Sequence, residues 1–222
     1  VDVLDHELTM KIFRKIKAMS RKKMAEVMDL DGKLLDKTYH SYQDFHPETT
    51  PTMPAIRLYT GLVFDQLHLD TYDELQTAYL NDHLVILSAI YGLVHPQTPI
   101  WPYRLDMTVS IPGLKLKILW TSKITEALKE QDLIIDLSSQ EFGVLLKPLG
   151  NKIHQVIFLE NVNGIEKIIS ANAKKIRGKM ADYLIRNRIT KISELTQFHE
   201  DGYQYQSDRS STNCSIFIKK SA

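Results

Sequence analysis

Apolar residues recur along this chain with two periods, and the periods sort it into helices and strands. Over residues 5–19, Leu8, Ile12, Ile16 and Met19 fall three and four apart, the spacing that lines one face of an amphipathic helix. Ser20 is placed to N-cap a second helix carrying Met24, Val27 and Met28. Leu30-Asp31-Gly32-Lys33 reads as a tight turn, with a third helix from Leu34 toward Tyr42. Residues 47–54 hold three prolines in eight positions, which precludes helix and sheet interior. Short β-rich runs follow at 84–88, 133–137, 155–159, 167–170 and 215–218, interleaved with helical periodicity at 116–130 and 173–188. This alternation predicts an α/β fold with a mixed, partly parallel sheet flanked by helices. The expected organisation is a single domain over 1–222, made of an N-terminal helical element (1–46), a proline-rich loop (47–54) and a main body (55–222).

The helix predicted from Lys174 to Arg188 is basic, and its period separates the charges. Ile176, Met180, Tyr183 and Leu184 form an apolar stripe that must face a core. Lys175, Lys179 and Arg186 lie roughly opposite, beside Asp182, which reaches Arg186 at i+4 and Lys179 at i−3. That side reads as an ordinary solvated face. Lys174, Arg177 and Arg188 instead border the stripe next to Gly178 and Ala181, a low-bulk strip that lets an anion or another backbone come close. Glycine inside a helix costs about 1 kcal/mol relative to alanine, so Gly178 calls for a packing or binding reason.

Ligands in open α/β sheets bind beyond the carboxyl ends of strands, and two strands here end in polar sequence. The first leads into Tyr91-Gly92 and on to Tyr103-Arg104; the second runs into Ser138-Ser139-Gln140-Glu141. Gly92 allows a positive φ and close backbone approach. Tyr91 and Tyr103 offer stacking faces, Arg104 a planar fork for phosphate or carboxylate, and Glu141 a candidate catalytic acid–base group. With Ser139 and Gly178 these residues make the candidate pocket. The plainer alternative is that the Tyr-Gly pair packs and that Ser138 to Glu141 simply begins a helix.

Composition narrows the chemistry. Hydrophobic residues make up 43% and charged residues 25% of 222 positions, as in folded globular proteins, and no apolar run approaches the roughly 20 residues of a membrane span. One cysteine excludes an internal disulfide and a thiolate zinc site, and the eight histidines are scattered. No metal or cofactor is expected, and no dinucleotide fingerprint, phosphate-binding lysine loop or nucleophile elbow is present. No signal peptide is visible, so the default compartment is the cytoplasm. A net charge of +1 argues against a whole-molecule commitment to nucleic acid, but binding responds to local patches. Lys11, Arg14, Lys15, Lys17, Arg21, Lys22 and Lys23 form one acid-free cluster. Residues 174–191 form the other, with seven cations against Asp182 alone. A helix–turn–helix around Gly32 can also present backbone N–H groups to phosphate, although such a glycine is commonly only a helix cap.

Five runs, in order, carry a resemblance to a known family. They are Tyr59-Thr60-Gly61; Leu87-Ser88-Ala89-Ile90-Tyr91-Gly92-Leu93 with Pro96 and Pro102-Tyr103-Arg104-Leu105-Asp106-Met107; Ser138-Ser139-Gln140-Glu141-Phe142; Ala171-Asn172-Ala173-Lys174-Lys175-Ile176-Arg177-Gly178-Lys179-Met180 continuing to Ile185-Arg186-Asn187-Arg188-Ile189; and Phe198-His199-Glu200-Asp201-Gly202-Tyr203. From about Leu4 to Lys219 the chain resembles the YaaA-type peroxide stress protein family of bacteria. The resemblance implies an α/β domain with a helix-hairpin-helix-like element, mapping onto 20–42, together with DNA binding. It also implies a role in limiting oxidative damage to DNA by restraining free intracellular iron. Two departures stand out. The family's opening strand and its Ser-Pro-Ala-Lys-like loop do not occur in this sequence, which starts without a methionine, and His95 stands where an arginine is usual. The leading expectation is backbone-directed, structure-selective DNA binding through Lys22, Lys23, Lys33, Lys174, Arg177 and Arg188. The alternative is an enzyme acting on a nucleotide or nucleobase in the strand-end pocket.

Overall fold

Asp5 starts the first helix by accepting a hydrogen bond from the Leu8 backbone N–H at 2.7 Å, as an N-cap should. The computed structural model describes residues 2–219. Its elements, in order, are α1 (His6–Lys17), α2 (Arg21–Met28), α3 (Gly32–Gln43), β1 (Met53–Pro54), α4 (Ala55–Leu58), α5 (Glu74–His83), β2 (Ile86–Ser88), β3 (Gly92–Val94), β4 (Pro99–Ile100) and α6 (Leu116–Leu128). They continue with β5 (Ile134–Asp136), α7 (Gln140–Gly143), β6 (Ile153–Val162), β7 (Ile165–Lys167), α8 (Ser170–Asn187), β8 (Tyr203–Tyr205) and β9 (Cys214–Lys219), with short 3-10 turns between some of them. The chain gathers into two compact units. One holds residues up to 58, 85–129 and 144–148; the other holds 59–84, 130–143 and 149 onward. The proline-rich segment thus lies inside the first unit, and α1–α3 share that unit with residues 85–129.

The first unit is organised around aromatic rings. α1 buries Leu8, Ile12, Phe13 and Ile16, the face its spacing predicts. Phe13 stacks on Phe45 at 4.2 Å and meets Trp101 edge-on at 6.0 Å. Two antiparallel ribbons, β1–β4 and β2–β3, frame these rings. The buried tyrosines also fasten backbone. Tyr42 donates to the Arg104 carbonyl at 2.9 Å, while Tyr91 donates to the Trp101 carbonyl at 2.8 Å and accepts from the Trp101 N–H at 3.0 Å. Trp120, on α6, donates its indole N–H to the Ala89 carbonyl at 2.9 Å.

The second unit contains the sheet, in the order β5-β6-β9-β8, with β7 also paired to β6. β5, β6 and β9 run parallel, whereas β8 and β7 pair antiparallel. The sheet is therefore mixed and partly parallel, as the alternation predicts. Val156, Phe158 and Phe217 of the strands pack with Ile176, Met180 and Leu184 of α8, and with Leu195, Phe198 and Tyr203. Expectations failed where apolar spacing is short or weak. The run expected as a strand at 167–170 splits, with β7 ending at Lys167 and α8 starting at Ser170. α5 escaped notice because only Leu80 in it is buried and Leu75 points outward; its start is set by a capping box between Asp73 and Gln76. No helix among the described residues is long and apolar enough to cross a membrane.

Gly92 has φ +73, and a Cβ there would lie 2.4 Å from the Trp120 ring. Both the backbone conformation and the close ring demand glycine. Gly92→Ala should destabilise the protein by at least about 2 kcal/mol, read as a lowered urea midpoint; an unchanged midpoint would show that the ring has room to retreat.

Candidate functional site

Cations around the α2–α3 turn are the first candidate cluster, and all lie in the first unit. Ser20 caps α2 by accepting from the Lys23 N–H at 3.2 Å. The helix ends at Asp29, whose left-handed φ of 50° is tolerated because a short polar side chain can adopt it. Gly32 is thus not the cap of α2. It is the first residue of α3, at φ +47. Asp31 precedes α3 without making a side-chain cap bond, which leaves the first N–H groups of that helix without their usual acceptor. Lys22, Lys23 and Lys33 are exposed around this turn. Lys23 contacts Glu26 at 3.4 Å and Arg21 pairs with Asp36 at 2.7 Å, while Lys22 and Lys33 have no ion pair among the described residues. Arg104 is exposed, with its backbone held by Tyr42, and it borders a small cleft with Met28, Leu30 and Asp106.

The aromatic part of the expected pocket is occupied by the protein itself. Tyr91 is fully buried, its hydroxyl committed to Trp101, so it has no free face for a ligand to stack on. The approach to Gly92 is filled by Trp120. Tyr103 is half-buried, its hydroxyl 2.7 Å from Ser88 Oγ. Ser139, Glu141 and Gly178 belong to the second unit.

In that unit α8 departs most from its sequence reading. The side bearing Asp182 is not a solvated face. Asp182 is 9% exposed, and its Oδ1 receives Tyr72 OH at 2.6 Å, His68 Nδ1 at 3.2 Å and the His68 backbone N–H at 3.3 Å. Its Oδ2 receives Arg186 Nε at 2.7 Å, the i+4 pair that the spacing predicts. Lys179 turns away from Asp182 and pairs with Asp201 at 2.6 Å and Glu200 at 3.6 Å. Burial pushes the Asp182 carboxyl up, but the Tyr72, Arg186 and His68 hydrogen bonds outweigh it and hold the pKa below the ordinary value. Gly178 is equally architectural. A Cβ there would meet the Val63 carbonyl oxygen at 2.2 Å, so the strip it opens is filled by the chain's own backbone, not by a ligand. Asn172, a further signature residue, donates to Glu160 at 2.7 Å, as does Tyr203 OH.

The three cations of the other α8 flank are placed differently. Lys174 is exposed. Arg188 is exposed as the left-handed C-cap, one residue past the helix, at φ 49. Arg177 is half-buried: burial pushes its pKa down and the charge of Asp136 pushes it back up. Its Nε donates to the Ala173 carbonyl at 2.9 Å, and neither Nη has a hydrogen-bond or ion-pair partner among the described residues. Asp136 ends β5 and accepts the Ser138 N–H at 2.8 Å. Just beyond, Ser139 Oγ donates to Glu141 Oε1 at 3.3 Å. Gly143 closes this loop, where a Cβ would stand 3.1 Å from Asp136 Oδ2 and 3.3 Å from Ser138 Oγ. Sequence reasoning singled out Ser139, Glu141 and Arg177 but not Asp136; its place as the last residue of a parallel strand was the available signal. Among the described residues, no group of three His, Cys, Asp or Glu side chains could hold a metal ion.

Comparison with known proteins accords with these structurally engaged signature runs. The family model described as peroxide stress protein YaaA matches residues 3–209. The chain belongs to that family. A UPF0246 protein of Fusobacterium nucleatum is 33% identical over 214 residues, covering 93% of this chain and 86% of the relative. A UPF0246 protein of Streptococcus gordonii is 32% identical over 217 residues, covering 96% and 89%. One from Legionella pneumophila strain Corby is 32% identical over 231 residues, covering 98% and 89%. In this peroxide stress protein, then, much of the signature on α8 secures architecture, through Asn172, Gly178, Lys179 and Arg186.

Asp182→Asn would leave Arg186 without its carboxylate and weaken the bonds to Tyr72 and His68. Because Arg186 and His68 are partly exposed, the expected cost at pH 7 is about 1–3 kcal/mol, measured by urea unfolding. The folded pKa lies below the unfolded one, so the carboxylate's contribution is complete above about pH 4 and lost as pH falls through the folded pKa. The gap between wild type and variant should therefore narrow as pH falls below about 4; a gap independent of pH would contradict this assignment.

Proposed function

We propose that this peroxide stress protein binds DNA through its phosphate backbone, protects it under peroxide, and helps limit free intracellular iron. The observation that carries the DNA reading is the grouping of Lys22, Lys23 and Lys33 around a turn whose following helix starts without a side-chain cap. Exposed ammonium groups neutralise phosphates, and uncapped N–H groups donate to a phosphate oxygen. The Lys23–Glu26 contact is exposed on both sides and is a weak competitor for the lysine. Lys174 and Arg188 supply further exposed cations. Arg177 does not fit a duplex-facing surface as well, because it is half-buried. With a net charge of +1, few phosphates are engaged and DNA structure rather than base sequence is selected. The iron role follows the family's expected action.

About three phosphate contacts imply a log–log salt slope near −2.7, or on the order of 40-fold weaker duplex binding between 50 and 200 mM salt. Lys22→Ala with Lys33→Ala should flatten that slope by about 2. Duplex or junction affinity indifferent to salt would sink the DNA reading.

A second reading is favoured by the loop after β5. The Glu141–Ser139 hydrogen bond, just after a strand that ends in Asp136, supports reading Glu141 as an acid–base group for a small nucleotide-like substrate. Glu141→Gln should then abolish turnover while leaving ligand affinity within about threefold; a variant that still protects peroxide-stressed cells fully would remove the catalytic reading.

A further inference from the structure

We infer that the carboxyl end of β5 is a binding site for a small phosphate monoester, with the Arg177 guanidinium as its anion clamp. The inference rests on the second, strand-end reading and supplies the substrate class which that reading lacks.

Three observations converge in the second unit. Arg177 is half-buried, yet only its Nε is bonded, to Ala173 of its own helix. Both Nη groups stand without a partner among the described residues, and no contact ion pair joins Arg177 to a carboxylate there. These Nη groups are not sealed from solvent, and the planar fork of a guanidinium suits two oxygens of one phosphate. The second observation is the fixed placement of Asp136. Its carboxylate is anchored by the Ser138 N–H at 2.8 Å and lies against Gly143, where a Cβ would come within 3.1 Å. The Asp136 charge acts on Arg177 through space and offsets part of what burial does to it. The carboxylate also leaves acceptor capacity for a ligand hydroxyl. The third is location: Asp136 is the last residue of a strand running parallel to β6, the end of a parallel sheet at which ligands bind, and Ser139 and Glu141 follow it at once.

A ligand fitting this arrangement carries an anion at one end and hydrogen-bond donors at the other. The phosphate lies on the Arg177 fork. Hydroxyls of an attached sugar face Asp136 and Glu141, which would repel a bare polyanion.

Titration calorimetry on the full chain with ribose 5-phosphate, inorganic phosphate and a DNA duplex tests the assignment. Ribose 5-phosphate should bind saturably at one site, at least tenfold tighter than inorganic phosphate. Arg177→Met should weaken it tenfold or more while changing duplex affinity less than twofold. Arg177→Lys, which keeps the charge but loses the fork, should weaken it at least fivefold and guards against a folding defect in the first variant. Retained ribose 5-phosphate binding in a Glu141→Gln variant that still protects peroxide-stressed cells fully supports the site while removing the catalytic reading. No saturable binding of ribose 5-phosphate, binding indifferent to both Arg177 variants, or a parallel fall in duplex affinity would overturn the proposal.

Discussion

Helix α8 is buried on two sides at once, and the architecture of the second unit follows from that demand. Ile176, Met180 and Leu184 cover the sheet. The opposite side must meet residues 63–72, and it can only do so because Gly178 has no side chain to collide with the Val63 carbonyl. Close approach brings His68 and Tyr72 within hydrogen-bond range of Asp182, and Arg186 reaches Thr71 Oγ1 at 2.7 Å. A carboxylate buried this way would be costly alone; four donors make it a fastening. Further along, Gln76 of α5 donates to the Arg186 carbonyl at 3.1 Å, satisfying one of the acceptors left open at a helix C-terminus.

The consequence for function is a division among the basic residues. Lys179 is spent on Asp201 and Glu200, and Arg186 on Asp182 and Thr71. Arg177, with both Nη groups unengaged, and the exposed Lys174 and Arg188 are left to act on something else. In the first unit the same sorting leaves Lys22 and Lys33 open beside Lys23, while Arg21 is held by Asp36 and Lys17 donates to the Phe45 carbonyl at 2.8 Å. A nearly neutral chain can thus still present local positive groups, because its acids are placed to neutralise some cations and not others.

Aromatic residues show the limit of reading a pocket from strand-end sequence. Tyr91 and Gly92 have the composition of a ligand-binding turn, yet one hydroxyl clamps Trp101 and the glycine admits Trp120. Residue type and position after a strand are identical for a tyrosine that stacks on a ligand and one that stitches two backbone segments. Ser139 and Glu141, by contrast, do follow a parallel strand at once, Ser139 just before α7 and Glu141 in its single turn, and they remain candidates for chemistry.

The residue pattern alone is enough to give the amphipathic faces of α1 and α8, the Ser20 cap, the strands read at 133–137, 155–159 and 215–218, and the i+4 pairing of Asp182 with Arg186. Each depends on neighbours within a turn or two, where spacing alone fixes who can meet. Tertiary structure decided what lies against those faces. Only the fold brings Val63 to Gly178, His68 and Tyr72 to Asp182, Trp120 to Gly92 and Asp201 to Lys179, partners from about 20 to more than 110 positions apart. Burial converts an apparently solvated charge row into a hydrogen-bonded seam. It also singles out Arg177 as a half-buried guanidinium whose Nη groups have no partner among the described residues, because solvent access belongs to the assembled chain and leaves no periodic trace in the sequence.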